Sequence, residues 1–363
     1  MLVSQEKIKV AVAMSGGVDS SVAASLMVEQ GYSVIGVMLR LWSQACEDGN
    51  RCCTPDAVAQ ARRVAGRLKI PFYVLDAQAL FYREVVQYFL EEHRRGRTPN
   101  PCMMCNSRVR WGFLLQQAQA LGAEFLVTGH YARVQIGSDG KYRLMQAVDL
   151  QKDQSYVLSG LGQAQLAHTL WPLGDWYKTD VREKARELGL EVADKPDSQD
   201  LCFVDENSQG VFLRQQLPDV TRPGPIVDEQ GRVLGEHEGL AFYTIGQRKG
   251  LRVAAARPLY VLEKDIEQGI LRVGFAEALG RTEFWAGPME WVAGEPPAET
   301  FDAQVKIRYK AKAVAARVMV TEDGWARVIL QAPVRDCTPG QFAVFYDGIN
   351  VLGRGQIAWE KEV

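Results

Sequence analysis

The chain has 363 residues, 42 Lys and Arg against 44 Asp and Glu for a formal net charge of −2, and 47% apolar residues. That length predicts two or three domains, and the near-neutral balance excludes a uniformly basic nucleic-acid-coating surface while leaving local basic patches open. No apolar run reaches the ~20 residues of a membrane span. The amino terminus MLVSQEKIKVAVAM lacks the basic region and cleavage site of a secretion signal, and the 7 cysteines are an odd number. The expectation is a cytoplasmic protein with no membrane contact, no disulfide framework, and thiols open to chemical work.

In chain order, IKVAVAM (8–14) reads as a buried strand, and after the turn SGGVDS the segment 19–30 puts Val22, Ala23, Leu26 and Met27 on one helical face, with Gly31 as a C-cap. SVIGVML (33–39) predicts a second strand. Thr54 and Pro55 supply an N-cap and a first-turn proline for a helix that turns Ala57, Val58, Ala61, Ala65 and Leu68 inward. FYVLD (72–76), a helix near 79–94, a helix opening at Asn106, and EFLVTGH (124–130) complete a strand–helix alternation. Such alternation predicts an α/β fold, a doubly wound parallel sheet that binds ligands at the carboxyl ends of its strands. The stretch 209–280, with RPGPIVDEQGRVLGEHEG turns and YTIGQRKGL, predicts a small, mostly β central module. From 281 to 363, short strand-like runs punctuated by Gly, Pro and Asp predict an antiparallel β-barrel. Residues 1–208 are left as the α/β domain.

The most informative motif is AMSGGVDSS (13–21), directly after a strand and opening a helix. Two glycines let the backbone form a concave row of amides, Ser15 and Ser20 add hydroxyls, and the helix N-terminus favours an anion, so the loop suits phosphate. Asp19 has two roles open, helix cap or Mg²⁺ ligand. No Walker sequence is present, and the missing lysine points to pyrophosphate held rather than a γ-phosphate activated. The other reading is a plain strand-to-helix turn.

S-G-G-x-D-S in this setting resembles the PP-loop of the N-type ATP pyrophosphatases (adenine nucleotide alpha hydrolase-like). Together with RTPNP and the CN that follows it, at 97–106, TGHYAR at 128–133, KDQSYVL at 152–158, DSQDLCF at 197–203, GLAFYTIGQRKGL at 239–251 and TPGQFAVFY at 338–346, it is similar to the tRNA-uridine 2-sulfurtransferases, the tRNA-specific 2-thiouridylases. The resemblance runs in order through the whole chain. It implies that ATP adenylates the C2 oxygen of the wobble uridine, AMP becomes the leaving group, and a protein persulfide delivers sulfur to give 2-thiouridine. It further implies that Ala13, Met14, Ser15, Gly16, Gly17, Val18, Asp19 and Ser20 bind ATP, with Leu39 and Gly129 beside the adenine and Mg²⁺ as a second cofactor. Asn100, Pro101 and Cys102 would meet the target base. His130, Lys152, Asp153, Gln154, Arg308, Tyr309 and Gln341 would contact tRNA, gripped by the C-terminal barrel. Cys105 would be the nucleophile and Cys202 the persulfide carrier, charged by a cysteine desulfurase or sulfur-relay protein.

Sequence position supports Cys105 separately. It precedes Asn106, a good N-cap, with Arg108 and Arg110 close by, and both effects favour thiolate. Cys202 has less support, because Asp197, Asp200 and Asp205 would raise its pKa. Cys102 departs from the family pattern, which often has aspartate there. Three roles stay open for it: filling the base-contact position, joining Cys105 and Cys202 as ligands of an iron–sulfur cluster, or forming a reversible disulfide with Cys105. A closed zinc site needs four ligands, which Cys46, Cys52 and Cys53 would have to complete. Otherwise those three and Cys337 are expected as thiols without catalytic duty. Residues 93–110 hold five arginines and no carboxylate, a local patch suited to the phosphates of an anticodon loop. His130 is either an RNA contact or a strand-end histidine satisfied by backbone. Two rival functions are a PP-loop synthetase acting on a small molecule and a non-enzymatic, metal-bearing RNA-binding protein.

Overall fold

The computed structural model describes residues 7–42, 54–196, 201–204 and 209–361. The first part of the chain supplies strands β1 (Lys9–Ala13), β2 (Ser33–Arg40), β3 (Phe72–Asp76), β4 (Phe125–Val127), the hairpin β5 (Ala132–Ile136) and β6 (Tyr142–Gln146), and β7 (Thr169–Leu170). Five of them form a parallel sheet in the order β3-β2-β1-β4-β7. The chain winds outward from β1 to β3 and returns on the other side at β4. The order therefore reverses beside β1, and the crevice at its carboxyl end is where such a sheet accepts a ligand. Val10, Ala11 and Val12 have no exposure, as a central strand covered on both faces requires.

One face is covered by α1 (Val18–Glu29) and α2 (Pro55–Leu68). Helix α1 is buried nearly all round, so Ser21 and Ser25 satisfy their hydroxyls on the carbonyls of Gly17 and Ser21, at 2.8 and 3.0 Å. In α2, Thr54 Oγ1 accepts from the Ala57 amide at 3.0 Å and Pro55 occupies the first turn, as its sequence predicts. Helical segments 78–94 and 101–120 cover the opposite face, each with an internal π-wound stretch, Tyr82–Val86 and Cys105–Leu114. The second segment opens at Pro101, five residues before the expected Asn106. Pro101 suits a first turn because it has no amide to leave unpaired. Asn106 instead lies inside the helix and donates its side-chain amide to Val157 O at 3.0 Å.

The central module is a four-stranded sheet of β8 (Gly224–Val227), β9 (Val233–His237), β10 (Tyr260–Asp265) and β11 (Ile270–Gly274), in the order β10-β11-β8-β9. The remainder forms β12 (Arg281–Ala286), β13 (Glu290–Trp291), β14 (Thr300–Lys306), β15 (Val314–Val320), β16 (Ala326–Val334), β17 (Phe342–Asp347) and β18 (Asn350–Ala358). Six of these, β12-β16-β15-β14-β17-β18, form an antiparallel barrel closed by β12 against β18. Closure removes the free sheet edges. The barrel is not a separate appendage, because β18 also pairs with β6 and so extends its sheet onto the β5–β6 hairpin of the α/β domain. Phe342, Val344, Tyr346 and Val351 share one apolar core with helices 78–94 and 101–120. That shared core fixes the barrel against the segment bearing Cys102 and Cys105.

Candidate active site

At the carboxyl end of β1 the chain turns through Met14 to Gly17 into α1. The Met14 amide donates to Val37 O at 2.8 Å, the Ser15 amide to Ser20 Oγ at 3.1 Å, and the Ser20 hydroxyl to Gly17 O at 3.2 Å. Gly16 sits at φ +71°, and a Cβ there would lie 2.6 Å from the Ala57 carbonyl oxygen, so the turn against α2 requires glycine. Gly17 occupies the N-cap of α1 with no side-chain cap, and Val18 and Ser20 are buried. Asp19 neither caps the helix nor stands open to a metal ion. Both its oxygens are 2.7 Å from Lys178 Nζ, and the Tyr131 hydroxyl donates to Oδ1 at 2.8 Å. Lys195 Nζ donates to Gly16 O at 3.2 Å. Leu39 is buried in β2, and Gly129, after β4, presses so close that a Cβ would meet Asp19 C and Ser20 N at 2.7 Å.

The thiols lie one contact further on. His130, 8% exposed, bonds Thr128 Oγ1 through Nδ1 at 2.7 Å, and Arg110 Nη1 approaches its Nε2 to 3.5 Å. Burial and then the Arg110 charge hold its pKa well below 6.5, so the ring is neutral. With the guanidinium facing Nε2, its proton belongs on Nδ1. Arg110 also donates to Cys105. Burial pushes the Cys102 thiol up to about 12 and the Cys105 thiol up to about 11. Cys202 lies close enough to raise both further, against a lowering by Arg110. This corrects the expectation of a thiolate-favouring site at Cys105. Its sulfur sits in the second turn rather than ahead of the first, and loss of water outweighs one guanidinium.

Cys202 is held by its neighbour. Phe203, 6% exposed, packs edge-on against Phe81, Phe89, Phe212 and Trp42, with ring centroids 5.8, 5.2, 5.9 and 6.3 Å away. No disulfide joins Cys102, Cys105 and Cys202. Among the described residues no group of three or more His, Cys, Asp or Glu is disposed to hold a metal ion, so the iron–sulfur ligand set, one of the three roles left open for Cys102, is not formed by the thiols as placed. Cys337 is buried in the barrel, its thiol pushed up to about 12. Cys46, Cys52, Cys53, Asp197, Asp200 and Asp205 lie outside the described residues.

The residues expected at tRNA divide in two. Asn100 and the buried Pro101 start the helix that carries Cys102. Tyr309 is half-buried beside Cys102 and Asp153, and burial pushes its hydroxyl up to about 12. Arg308 is exposed and pairs with Asp336 at 2.5 Å, and Lys152 is half-buried. Four others point inward. Asp153, 6% exposed, accepts from the amides of Ala147 (3.1 Å) and Ser155 (3.2 Å) and from the Ser155 hydroxyl (2.9 Å). Gln154 brackets Tyr131, accepting its amide at 3.0 Å and donating to its carbonyl at 2.8 Å. Gln341 donates to Thr98 O at 2.8 Å, beside a Thr98 amide to Pro339 O bond of 2.9 Å. Together with His130, these bond the protein's own loops, Asp153 and His130 from buried positions and Gln154 and Gln341 from half-buried ones.

Three successive family models match the chain: the tRNA methyl transferase HUP domain over residues 8–206, the tRNA methyl transferase PRC-barrel domain over 210–275, and the aminomethyltransferase beta-barrel domain over 281–357. A tRNA-specific 2-thiouridylase MnmA of Chloroflexus aggregans is 47% identical over 352 residues, covering 96% of this chain and 98% of the relative. That of Heliobacterium modesticaldum is 46% identical over 96% of this chain and 92% of its own. The chain belongs to the tRNA-specific 2-thiouridylase family. Among solved structures it is similar to a 4-thiouridine synthetase in an RNA complex with bound ATP, at 20% identity, TM-score 0.36, and coverage of 58% of this chain and 50% of that one.

Within this 2-thiouridylase chain, sequence reasoning missed Lys178 and Lys195, which bring positive charge to a loop lacking the Walker lysine. Both lie far along the chain from the loop, and no local motif announces them. It also missed that the loop Arg97–Asn100 is held from the barrel. Gly340, at φ +92°, would place a Cβ 2.7 Å from Arg97 Cβ. The signal available was TPGQF (338–342), whose Pro-Gly turn marks a tight approach but not its partner.

Proposed function

We infer that this protein uses ATP to convert the wobble uridine of certain tRNAs to 2-thiouridine. One observation carries the reading: a continuous line of contacts runs from the loop at α1 through Gly129, His130 and Arg110 to Cys105 and its neighbour Cys202. A nucleotide held by residues 13–20, with Leu39 and Gly129 alongside, thus lies next to two thiols. The loop would orient the phosphates, Lys178 and Lys195 would offset their charge, and the uridine O2 would attack the α-phosphorus, releasing pyrophosphate. The terminal sulfur of a Cys202 persulfide then bonds to C2 and AMP leaves. Cys105, as thiolate, attacks the Cys202 sulfur, so the C2–S product departs and a Cys105–Cys202 disulfide remains. A dithiol reductant restores both thiols.

Because Cys105 rests protonated in a buried site, its proton must leave when substrate arrives. The Arg110 guanidinium stabilises the anion formed, and neutral His130 holds Arg110 without adding repulsion. Mg²⁺ would add positive charge against the phosphates, and Asp19, once released from Lys178, is the residue that would hold it. The reading places the enzyme in the cytoplasm, with a persulfide-bearing protein as sulfur donor. Residues 1–208 act as the catalytic domain, 209–280 as the central domain and 281–363 as the tRNA-gripping barrel. Arg308, Lys152 and the exposed Arg94, Arg95 and Arg108 would face phosphates, and Asn100, Cys102 and Tyr309 the flipped base.

The test is mass spectrometry of nucleosides after incubating the protein with ATP, a persulfide donor and tRNA. 2-Thiouridine is expected, and a Cys105→Ser variant should form at least about a thousandfold less while still binding ATP. AMP release without tRNA, indifferent to Cys105, would assign a small-molecule synthetase instead. Full turnover by Cys202→Ser would remove the persulfide role.

A further inference from the structure

Arg354 in β18 is 1% exposed, the largest charged side chain fully buried among the described residues, and the reaction above does not use it. Its Nε and Nη2 reach Glu290 Oε2 of β13 at 3.0 and 2.8 Å, and its guanidinium lies 4.8 Å from the Phe342 ring centroid. Nη2 also donates to Ser107 Oγ at 2.8 Å, and that hydroxyl donates in turn to Met103 O at 3.0 Å. Met103 is fully buried between Cys102 and Cys105. Space for the guanidinium exists only because residue 160 is glycine, where a Cβ would lie 2.1 Å from Arg354 Cζ.

We propose that Arg354 is a positioning residue, transmitting the placement of the barrel through Ser107 to the first turns of the helix that bears Cys102 and Cys105. The chain Glu290–Arg354–Ser107–Met103 O crosses from barrel to catalytic domain. Three features separate this from routine packing. The arginine is a buried charge met by the carboxylate of Glu290, and breaking such a pair by moving one partner is strongly unfavourable, so it holds barrel and helix in one placement. Its fork is divided between an acid of the barrel and a hydroxyl of the thiol helix, so it reads both at once. The hydroxyl bonds the backbone one turn back, in a helix that is about to change its winding at Cys105. Hydrogen bonds inserted at such a point set the local helical geometry. When tRNA pulls on the barrel, this chain carries the displacement to the thiols.

The proposal rests on the thiolation reading, and two measurements keep the two apart. Ser107→Ala breaks the link while leaving the Arg354–Glu290 pair and the core in place, and Arg354→Met removes the charge. Each is compared with the parent for kcat and KM in tRNA thiolation, and for the rate at which iodoacetamide alkylates Cys105, followed by peptide mass spectrometry. For both variants we expect kcat to fall about tenfold at a tRNA KM changed less than about twofold, because a small misplacement of reacting groups costs rate rather than binding. Cys105 alkylation should rise about tenfold as its cover loosens. The double variant should be no worse than Arg354→Met alone, since both act through one chain. Parent-like kcat and alkylation in folded Ser107→Ala, or effects that multiply in the double variant, would overturn the positioning role. If the parent itself made no 2-thiouridine, the thiolation reading would fail, and the alkylation rates alone would decide the role of Arg354.

Discussion

The loop proposed to hold the nucleotide and the thiol site are neighbours built in opposite ways. The loop is one stretch, residues 13–20, set by a strand before it, a helix after it and two glycines within it. The thiol site is assembled from the helix start at 100–105, Arg110, His130, the Phe203-anchored Cys202 and two barrel residues, Tyr309 and Gln341. The first has its motif in one segment and is braced within the α/β domain by Ala57, Gly129, Lys178 and Lys195, whereas the second depends on the seam between domains. Phosphate needs only a row of amides and charge, available from one turn. Sulfur transfer needs two thiols that are close yet shielded from water, which no single segment provides.

Protonation separates the two regions most strongly. With Cys105 held up to about 11, its alkylation by iodoacetamide in the resting protein should climb about tenfold per pH unit from pH 7 to 10, roughly a thousandfold in all, because only thiolate reacts. The same shift has a stability sign. The thiol's ordinary value is 9.0, so the unfolded chain releases this proton near pH 9 and the folded one near 11; the stabilisation present below pH 9 is lost as pH rises between them. A flat alkylation profile above pH 8 would show that Arg110 outweighs burial after all.

That contrast also marks what the sequence disclosed. Strand, loop and α1 were legible because period, glycines and caps lie within twenty residues. The Thr54–Pro55 helix start was legible for the same reason. The helix at Pro101 was misplaced because Asn106 is a good cap by type, and nothing local says that it is buried against Val157. The inward duties of Asp153, Gln154 and Gln341, and the lysines over the loop, arise from contacts across the fold. The pairing of β6 with β18, which ties the barrel to the α/β domain, joins strands about 200 residues apart and leaves no mark on either.

A smaller effect should distinguish loop from thiols in the other direction. In Gly129→Ala the new methyl meets the α1 backbone at 2.7 Å, and backbone cannot swing aside as a side chain does. The expected cost is about 1–3 kcal/mol of stability together with weakened ATP binding. The Cys105 alkylation profile should keep its slope, since burial and Arg110 are untouched. Calorimetry with and without ATP reads the first, and parent-like ATP affinity would mean that the nucleotide does not lie against this approach.

The smallest effect expected belongs to the seam. Gln341→Ala removes the bond to Thr98 O but leaves the Thr98 amide on Pro339 O and the tight approach at Gly340. One neutral hydrogen bond contributes about 1 kcal/mol, so the loop 97–100 should loosen without detaching. A residue that touched tRNA directly would lower affinity when removed. A residue that only holds Asn100 and Pro101 in place should instead lower kcat by about fivefold, at most 1 kcal/mol in the transition state, with the tRNA KM nearly constant. The two outcomes differ in which constant moves, so steady-state kinetics on one variant decides whether the barrel's contribution at this point is contact or alignment.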